Sequence, residues 1–323
     1  MENYRVLMEV LKWLGVEELL TSTAQVSAKW REVSDSRELW LDLFPMCVDL
    51  GDLCPKRYYA THFTKSVFVV TSSVLKQYYV VSKLWVEKTL SRLIETNWKT
   101  SMTLALPHTL FICGTTSRLE NTYTINTHTG TVRVLSTLNP HRQGIGLISV
   151  DGVVYAFGGT NTLQTNRLDL KGTMWGTISG ATVKRELFNP CLHRKTVYLL
   201  GGTGQEAPGE KFDLLTESFS LMSLKLDIET CFALIHKGLL ILISDNIYIK
   251  RKLTSHKPVT THKLPNPHLW PNCSNGFDPV IVDNKAFILY RAKGLIVEMD
   301  LTLFVWEAYP YQGEVKPRLK GRA

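Results

Sequence analysis

The apolar positions of this chain follow two different periods. Val6, Leu7, Val10, Leu11 and Leu14 recur at the i, i+3, i+4, i+7 spacing that sets them on one face of a helix, with Trp13 at its border. Gly15 supplies a stop, since glycine tolerates the left-handed backbone that ends helices. Glu17 and Glu18 then suit the positive start of a second helix, whose apolar set is Leu19, Leu20, Ala24, Val26 and Trp30. The cap-forming stretch Ser34-Asp35-Ser36 opens a third, burying Leu39, Trp40, Leu43 and Phe44. Three helices in about 40 residues make a marginal core. So small a bundle, with more large hydrophobes than it can enclose, is expected to complete its core against another surface.

From residue 67 the period changes. Short β-branched and aromatic runs appear between Gly, Asn, Asp and Thr, the signal for many strands joined by tight turns. The runs beginning at Val67, Leu110, Val154, Val197, Leu240 and Ala286 lie 43, 44, 43, 43 and 46 residues apart. Two of them end in a glycine pair, Gly158-Gly159 and Gly201-Gly202, and a third in Gly114. A second mark keeps a fixed offset: Asn126, Asp169, Asp213 and Asp300 each stand six residues before a large apolar residue, Val132, Trp175, Phe219 and Trp306. The Asp or Asn belongs in a turn between strands, and the apolar residue packs between adjacent sheets. A unit of this length accommodates one four-stranded sheet. Six such sheets arranged radially make a β-propeller, which leaves few strand edges open.

The fold class expected is therefore mainly β, a six-bladed propeller preceded by a small three-helix domain. The boundaries read as 1–46 for the helical domain, 47–64 for a connector containing Pro45's successor Pro55 and Arg57-Tyr58-Tyr59, 65–312 for the propeller, and 313–323 for a basic, solvated tail. Either Leu301–Trp306 or the segment Phe63–Val70 is expected to close the ring.

Composition agrees with a globular chain: 323 residues, 44% hydrophobic and 20% charged. No apolar run approaches the roughly 20 residues that cross a bilayer. The opening Met1–Arg5 lacks the basic and apolar regions of a secretion signal, so a cytoplasmic or nuclear address is the expectation. Cys47, Cys54, Cys113, Cys191, Cys231 and Cys273 form no CxxC pair and read as reduced thiols. The net charge of +8 divides unevenly, about −4 over residues 1–50 and about +12 over the rest. A basic body favours acidic or phosphorylated ligands by long-range attraction.

Candidate chemistry adds little. No Gly-rich phosphate loop, HExxH, GxSxG or EF-hand series occurs, and the nine histidines are dispersed. His262 and His268 near Trp270 lack acidic neighbours. Neither catalysis, nor a metal, nor a cofactor is expected.

The stretches Val10–Leu20, Val26–Val33 and Glu38–Phe44 resemble an F-box along their whole length. The resemblance implies docking on a Skp-type adaptor, and through it membership of a cullin–RING ubiquitin ligase. Adaptor contacts would come from Leu7, Val10, Leu11, Leu14, Leu19, Val26, Trp30 and Trp40. Glu2-Asn3 stands where the family's pattern commonly opens with Leu-Pro. The repeats resemble kelch repeats, best over Val153–Trp175 and next over Thr196–Asp213. In kelch-like relatives the loops after the glycine pair, and those entering the next sheet, bind partners. Here such loops carry Arg118, Arg142, Lys184, Arg185 and Arg291, a basic rim suited to a carboxylate or phosphate. The two resemblances together imply a non-catalytic substrate-recognition subunit of an SCF-type ubiquitin ligase. Two alternatives stand beside it: a scaffold or regulatory propeller whose F-box no longer binds the adaptor, and a basic propeller that binds nucleic acid. Against the latter, the basic residues are not interleaved with a row of exposed aromatics.

Overall fold

In the computed structural model each apolar run that marks the repeat becomes a strand of an antiparallel sheet, an inner strand in five of the six sheets. The structure describes residues 7–8, 11, 28–36, 39, 65–96, 99–106, 108–114, 122–172, 174–202, 208–222, 232–243, 247–253, 260–263, 279–290, 295–302, 305–310 and 319–322. The chain divides into two compact units, Met1–Val69 with Val74–Lys88, and Val70–Ser73 with Thr89–Ala323.

Six antiparallel sheets are formed, each from consecutive strands. The first holds β1 (Ser66–Val70), β2 (Val74–Tyr79) and β3 (Leu84–Thr89). The second holds β4 (Ser101–Leu106), β5 (Thr109–Cys113), β6 (Thr122–Asn126) and β7 (Val132–Val134). The third holds β8 (Gly146–Val150), β9 (Val153–Phe157), β10 (Thr165–Asp169) and β11 (Gly176–Ile178). The fourth holds β12 (Cys191–His193), β13 (Thr196–Leu199), β14 (Glu210–Asp213) and β15 (Ser218–Leu221). The fifth holds β16 (Phe232–His236), β17 (Leu239–Ile243), β18 (Ile247–Lys252) and β19 (Thr260–Lys263). The sixth has five strands, β20 (Val280–Val282), β21 (Lys285–Tyr290), β22 (Leu295–Asp300), β23 (Val305–Pro310) and β24 (Leu319–Arg322).

In the second to sixth sheets the marked run is the second strand, and its residues are buried one after another instead of alternately. Both faces of such a strand are covered, so both need apolar side chains. The core is accordingly a series of layers between neighbouring sheets. Phe111, Leu147, Val154 and Leu168 fill the layer between the second and third. Phe157, Phe188, Val197 and Phe212 fill the next, then Tyr198, Leu200, Leu240 and Leu242, then Ile241, Ile243, Ala286 and Ile288.

The turn residues act as their spacing predicts. Asn126 Oδ1 accepts from the N–H groups of His128 and Thr129, both at 2.9 Å. Asp169 accepts from Lys171 N–H, Asp213 from Leu215 and Thr216 N–H, and Asp300 from Thr302 N–H. Each side chain mimics a backbone acceptor and bends the chain between third and fourth strands. The aromatic residues six places on reach across a layer. Trp175 meets Phe111 edge-on at 5.9 Å, and Phe219 meets Phe157 at 6.3 Å.

Two expectations give way. The tail 313–323 is not wholly a solvated end, because Leu319–Ala308 through Arg322–Val305 pair β24 with β23. Backbone pairing onto an open edge asks for no apolar alternation, so the sequence carried little sign of it. Nor, among the described residues, does either candidate segment pair with a strand from the other end of the chain. In the described residues no sheet combines strands from the two ends of the chain, and Val305–Pro310 is simply the fourth strand of the last sheet. The first sheet opens on its marked run, Val67–Val70, where the other five place a strand ahead of it.

Candidate functional site

The sheet ends where the glycine pairs lie are held by short backbone straps. Gly144 N–H donates to Lys99 O at 3.0 Å, and Leu187 N–H to Gly144 O at 2.8 Å, so the segments entering the second, third and fourth sheets are tied in sequence. Gly159 N–H donates to Arg185 O at 2.8 Å and Thr160 N–H to Gln143 O at 2.9 Å. Gly158 lies at φ +56°, and a Cβ there would stand 2.5 Å from Arg185 O. The turn and the close approach both require glycine.

The basic residues expected on a rim do not all point outward. Arg142 is 2% exposed. Its Nη2 donates to Asn166 Oδ1 at 2.7 Å and to Ala156 O at 3.4 Å, and its Nη1 to Gln164 Oε1 at 3.4 Å. Burial pulls its pKa down to about 10, a shift the neighbouring Cys113 opposes. Arg185 is 3% exposed, donates to Gly201 O at 3.0 Å and to Pro208 O, and pairs through Nε with Glu210 Oε2 at 3.5 Å. Glu210, wholly buried, also accepts from Thr182 N–H at 2.7 Å and Thr182 Oγ at 2.6 Å. Asn166 and Glu210 hold the same repeat position, opposite Ala156 and Leu199. Arg142 and Arg185 are thus one structural device used twice, each fastening the entry of its sheet to the third strand. Placing them on a ligand-facing rim is corrected by this burial. Lys184 is exposed, while Arg118 and Arg291 lie outside the described residues.

Sequence reasoning missed Lys99, Glu186 and Glu210. The signal available was the 43-residue separation of Arg142 and Arg185, which marks a repeat position and hence a structural duty. The chemistry of the described residues offers no group of three or more His, Cys, Asp or Glu able to hold a metal. Cys113 is buried beside Thr122, and desolvation pushes its thiol up to about 11. A thiol so placed behaves as a small hydrophobe.

At the other end of the sequence, helix α1 (Ala28–Asp35) presents Lys29, Arg31 and Glu32 to solvent, half-buries Trp30, and buries Val33. Ser34 Oγ donates back to Arg31 O at 2.9 Å, closing its last turn. Ser36 Oγ then accepts from Leu39 N–H at 3.3 Å, the contact by which a serine caps the start of the next helix. Leu39 is helical and fully buried. Leu7 and Leu11 are helical too, Leu7 half-buried and Leu11 at 0% exposure. Val10, Leu14, Leu19, Val26 and Trp40 lie outside the described residues.

Residues 4–42 match the F-box domain. The F-box therefore spans both the half-buried Leu7 and Trp30 and the enclosed Leu11, Val33 and Leu39. F-box domains bind Skp-type adaptors within cullin–RING ligases, and F-box proteins are typically non-catalytic ligase adaptors. No curated protein matches the chain. Within the F-box, Leu11 is fully buried, and Leu7 and Trp30 are half-buried. No helix among the described residues is long and apolar enough to cross a membrane.

Proposed function

We propose that this chain is a substrate-recognition subunit of an SCF-type ubiquitin ligase. The F-box docks on the Skp-type adaptor, and the strand-rich remainder holds a target protein. The chain makes and breaks no bond itself. It raises the effective concentration of target lysines near a loaded conjugating enzyme carried by its partners. The observation that carries this reading is the F-box match over residues 4–42.

In the same reading the strand-rich part is a six-bladed, kelch-like β-propeller. Its support is the six sheets at the repeat period, and the pairing of Lys99 Nζ with Glu186 Oε1 at 2.7 Å across 87 residues of sequence. Contact between segments two repeats apart requires the sheet entries to converge, as they do about a propeller axis. Arg118, Lys184 and Arg291 remain proposed target contacts. A cytoplasmic or nuclear site of action suits the reading.

Co-purification of the full chain with a Skp-type adaptor is the test. Binding is expected, weakened by Trp30→Ala and by Leu14→Asp, in variants whose sheets unfold at the wild-type temperature. A wild-type chain that fails to bind overturns the reading. That result favours the scaffold alternative, for which the Glu2-Asn3 opening is the motivating observation.

A further inference from the structure

With Arg142 and Arg185 turned inward, a group of exposed cations stands at the opposite end of the fourth and fifth sheets, where first strands turn into second strands. Arg194 and Lys195 form the turn between β12 and β13, and Lys237 with Gly238 forms the turn between β16 and β17. All three basic residues are exposed. Three contacts bring these turns to one place. Cys191 Sγ lies 3.0 Å from Ala233 O, setting β12 against β16. A Cβ built on Gly238 would stand 4.0 Å from His193 Cε1. Leu253 N–H donates to Gly238 O at 3.0 Å, which adds the exposed Lys252 at the end of β18.

Among the described residues none of Arg194, Lys195, Lys237 and Lys252 sits in an ion pair. Lys237 donates to the neutral Asn284 Oδ1 at 2.8 Å, so its charge is not cancelled. The carboxylates of the same turns are Asp213, occupied by Leu215 and Thr216 N–H, and the exposed Asp283. Two large apolar side chains flank the cations. Leu192 on β12 is 37% exposed, and Leu215, in the turn after Asp213, is 69% exposed. Leu214 N–H donates to Lys195 O at 3.0 Å, which ties that turn to the basic one.

We infer that this end of the fourth and fifth sheets docks an acidic peptide segment that carries a large apolar side chain. Four cations outside any ion pair, of which only Lys195 acts on a nearby acid, Asp213, attract and orient the carboxylates, while Leu192 and Leu215 supply the apolar contact. A nucleic-acid strand fits less well. It would use the cations for phosphates, but exposed leucines give it nothing, and among the residues whose burial is described no aromatic side chain is exposed for bases to stack upon. The inference rests on the proposed function only for the identity of the partner, which would be the ligase target or a segment of it.

The experiment titrates the full chain with three fluorescent probes: a peptide alternating Asp or Glu with Leu, the same peptide with Ser in place of Leu, and a single-stranded oligonucleotide. The Leu peptide is expected to bind, the Ser peptide several-fold more weakly, and the oligonucleotide more weakly than either. Lys195→Glu with Lys237→Glu should weaken the Leu peptide about tenfold or more. Leu215→Ser should weaken the Leu peptide and leave the Ser peptide unchanged. Lys237→Arg, which keeps the charge, should bind as wild type. Since all these positions are exposed, unfolding temperature and adaptor co-purification should stay unaltered. Equal binding by the charge-reversed chain, or tighter binding of the oligonucleotide, overturns the inference. Loss of adaptor binding with peptide binding intact would count against the ligase reading alone.

Discussion

Lys99 and Glu186 form an ion pair at 2.7 Å although two repeats separate them in sequence. The Glu186 side chain reaches Lys99 by passing over Gly144, and a Cβ at that glycine would stand 2.4 Å from Glu186 Cγ. Gly144 also lies at φ +64°. The pair thus exists because a residue without a side chain sits between its members.

Gly144→Ala should destabilise the fold by about 1–3 kcal/mol, through backbone strain and displacement of Glu186. Lys99→Ala, which removes a pair that is partly exposed, should cost about 1 kcal/mol or less. Urea denaturation of both variants, and of Gly144→Ala combined with Glu186→Ala, separates the two causes. The double variant should recover only the steric part.

Arg185→Ala should be more damaging than Arg142→Ala. The first leaves Glu210 buried without its cation, a loss of about 3–5 kcal/mol. The second leaves the neutral Asn166 short of a donor, about 1–3 kcal/mol. Replacing Arg185 and Glu210 together with Met and Leu should restore most of the difference. Thermal or denaturant melts of the three variants give the ranking, and a larger loss for Arg142→Ala would contradict it.

Asp213 should make its turn sensitive to acid. Hydrogen bonds from Thr216 and Leu215 N–H hold its carboxyl below the usual value of 3.8, with the Thr216 hydroxyl and Lys195 adding to the effect. A depressed carboxylate contributes stability above its unfolded pKa, and that contribution is lost as pH falls through the folded one. Asp213→Asn keeps the acceptor and removes the titration. Compared by melting from pH 6 downward, the wild type should lose its advantage over the variant below about pH 4.

Cys113 should act at the alkaline side in the opposite sense. Its buried thiol is raised to about 11 from a reference of 9.0. The folded state then holds a proton that the unfolded chain releases, so its stabilising share is complete below pH 9 and declines as pH rises through 11. The stability difference between wild type and Cys113→Ala should narrow over that interval. Thiol reagents at neutral pH should reach Cys113 only on unfolding.

Leu11 and Trp30 should separate folding from docking. Leu11→Ala should cost about 2–5 kcal/mol because the side chain is fully enclosed. The half-buried Trp30 on α1 should lose less stability on truncation and more adaptor affinity. Measuring unfolding and adaptor binding on the same preparations distinguishes the two residues.

Most of the strand order was legible because strands covered on both faces must be apolar throughout. Leu110–Cys113 and Val154–Phe157 therefore stand out from any background. Asn126, Asp169 and Asp213 were legible for a local reason: each bonds backbone groups within three residues of itself. The candidate site was less legible, since the fate of a basic loop residue depends on remote partners. Arg142 looks like any surface arginine until Asn166 closes on it from 24 residues away. Leu11 reads equally well as interface or core by spacing, and its burial in the chain is not written in that spacing. The pairing of β24 left no mark in side-chain pattern at all.

Every sheet among the described residues is completed by strands that follow one another directly. A chain so organised can settle each sheet as it leaves the ribosome, without holding an edge open for a segment still to be translated. Its pairings are short-range even though the protein is large, and only the packing between finished sheets must wait. Slow synthesis would therefore be tolerated, and a truncated nascent chain would carry whole sheets in place of unmatched strands.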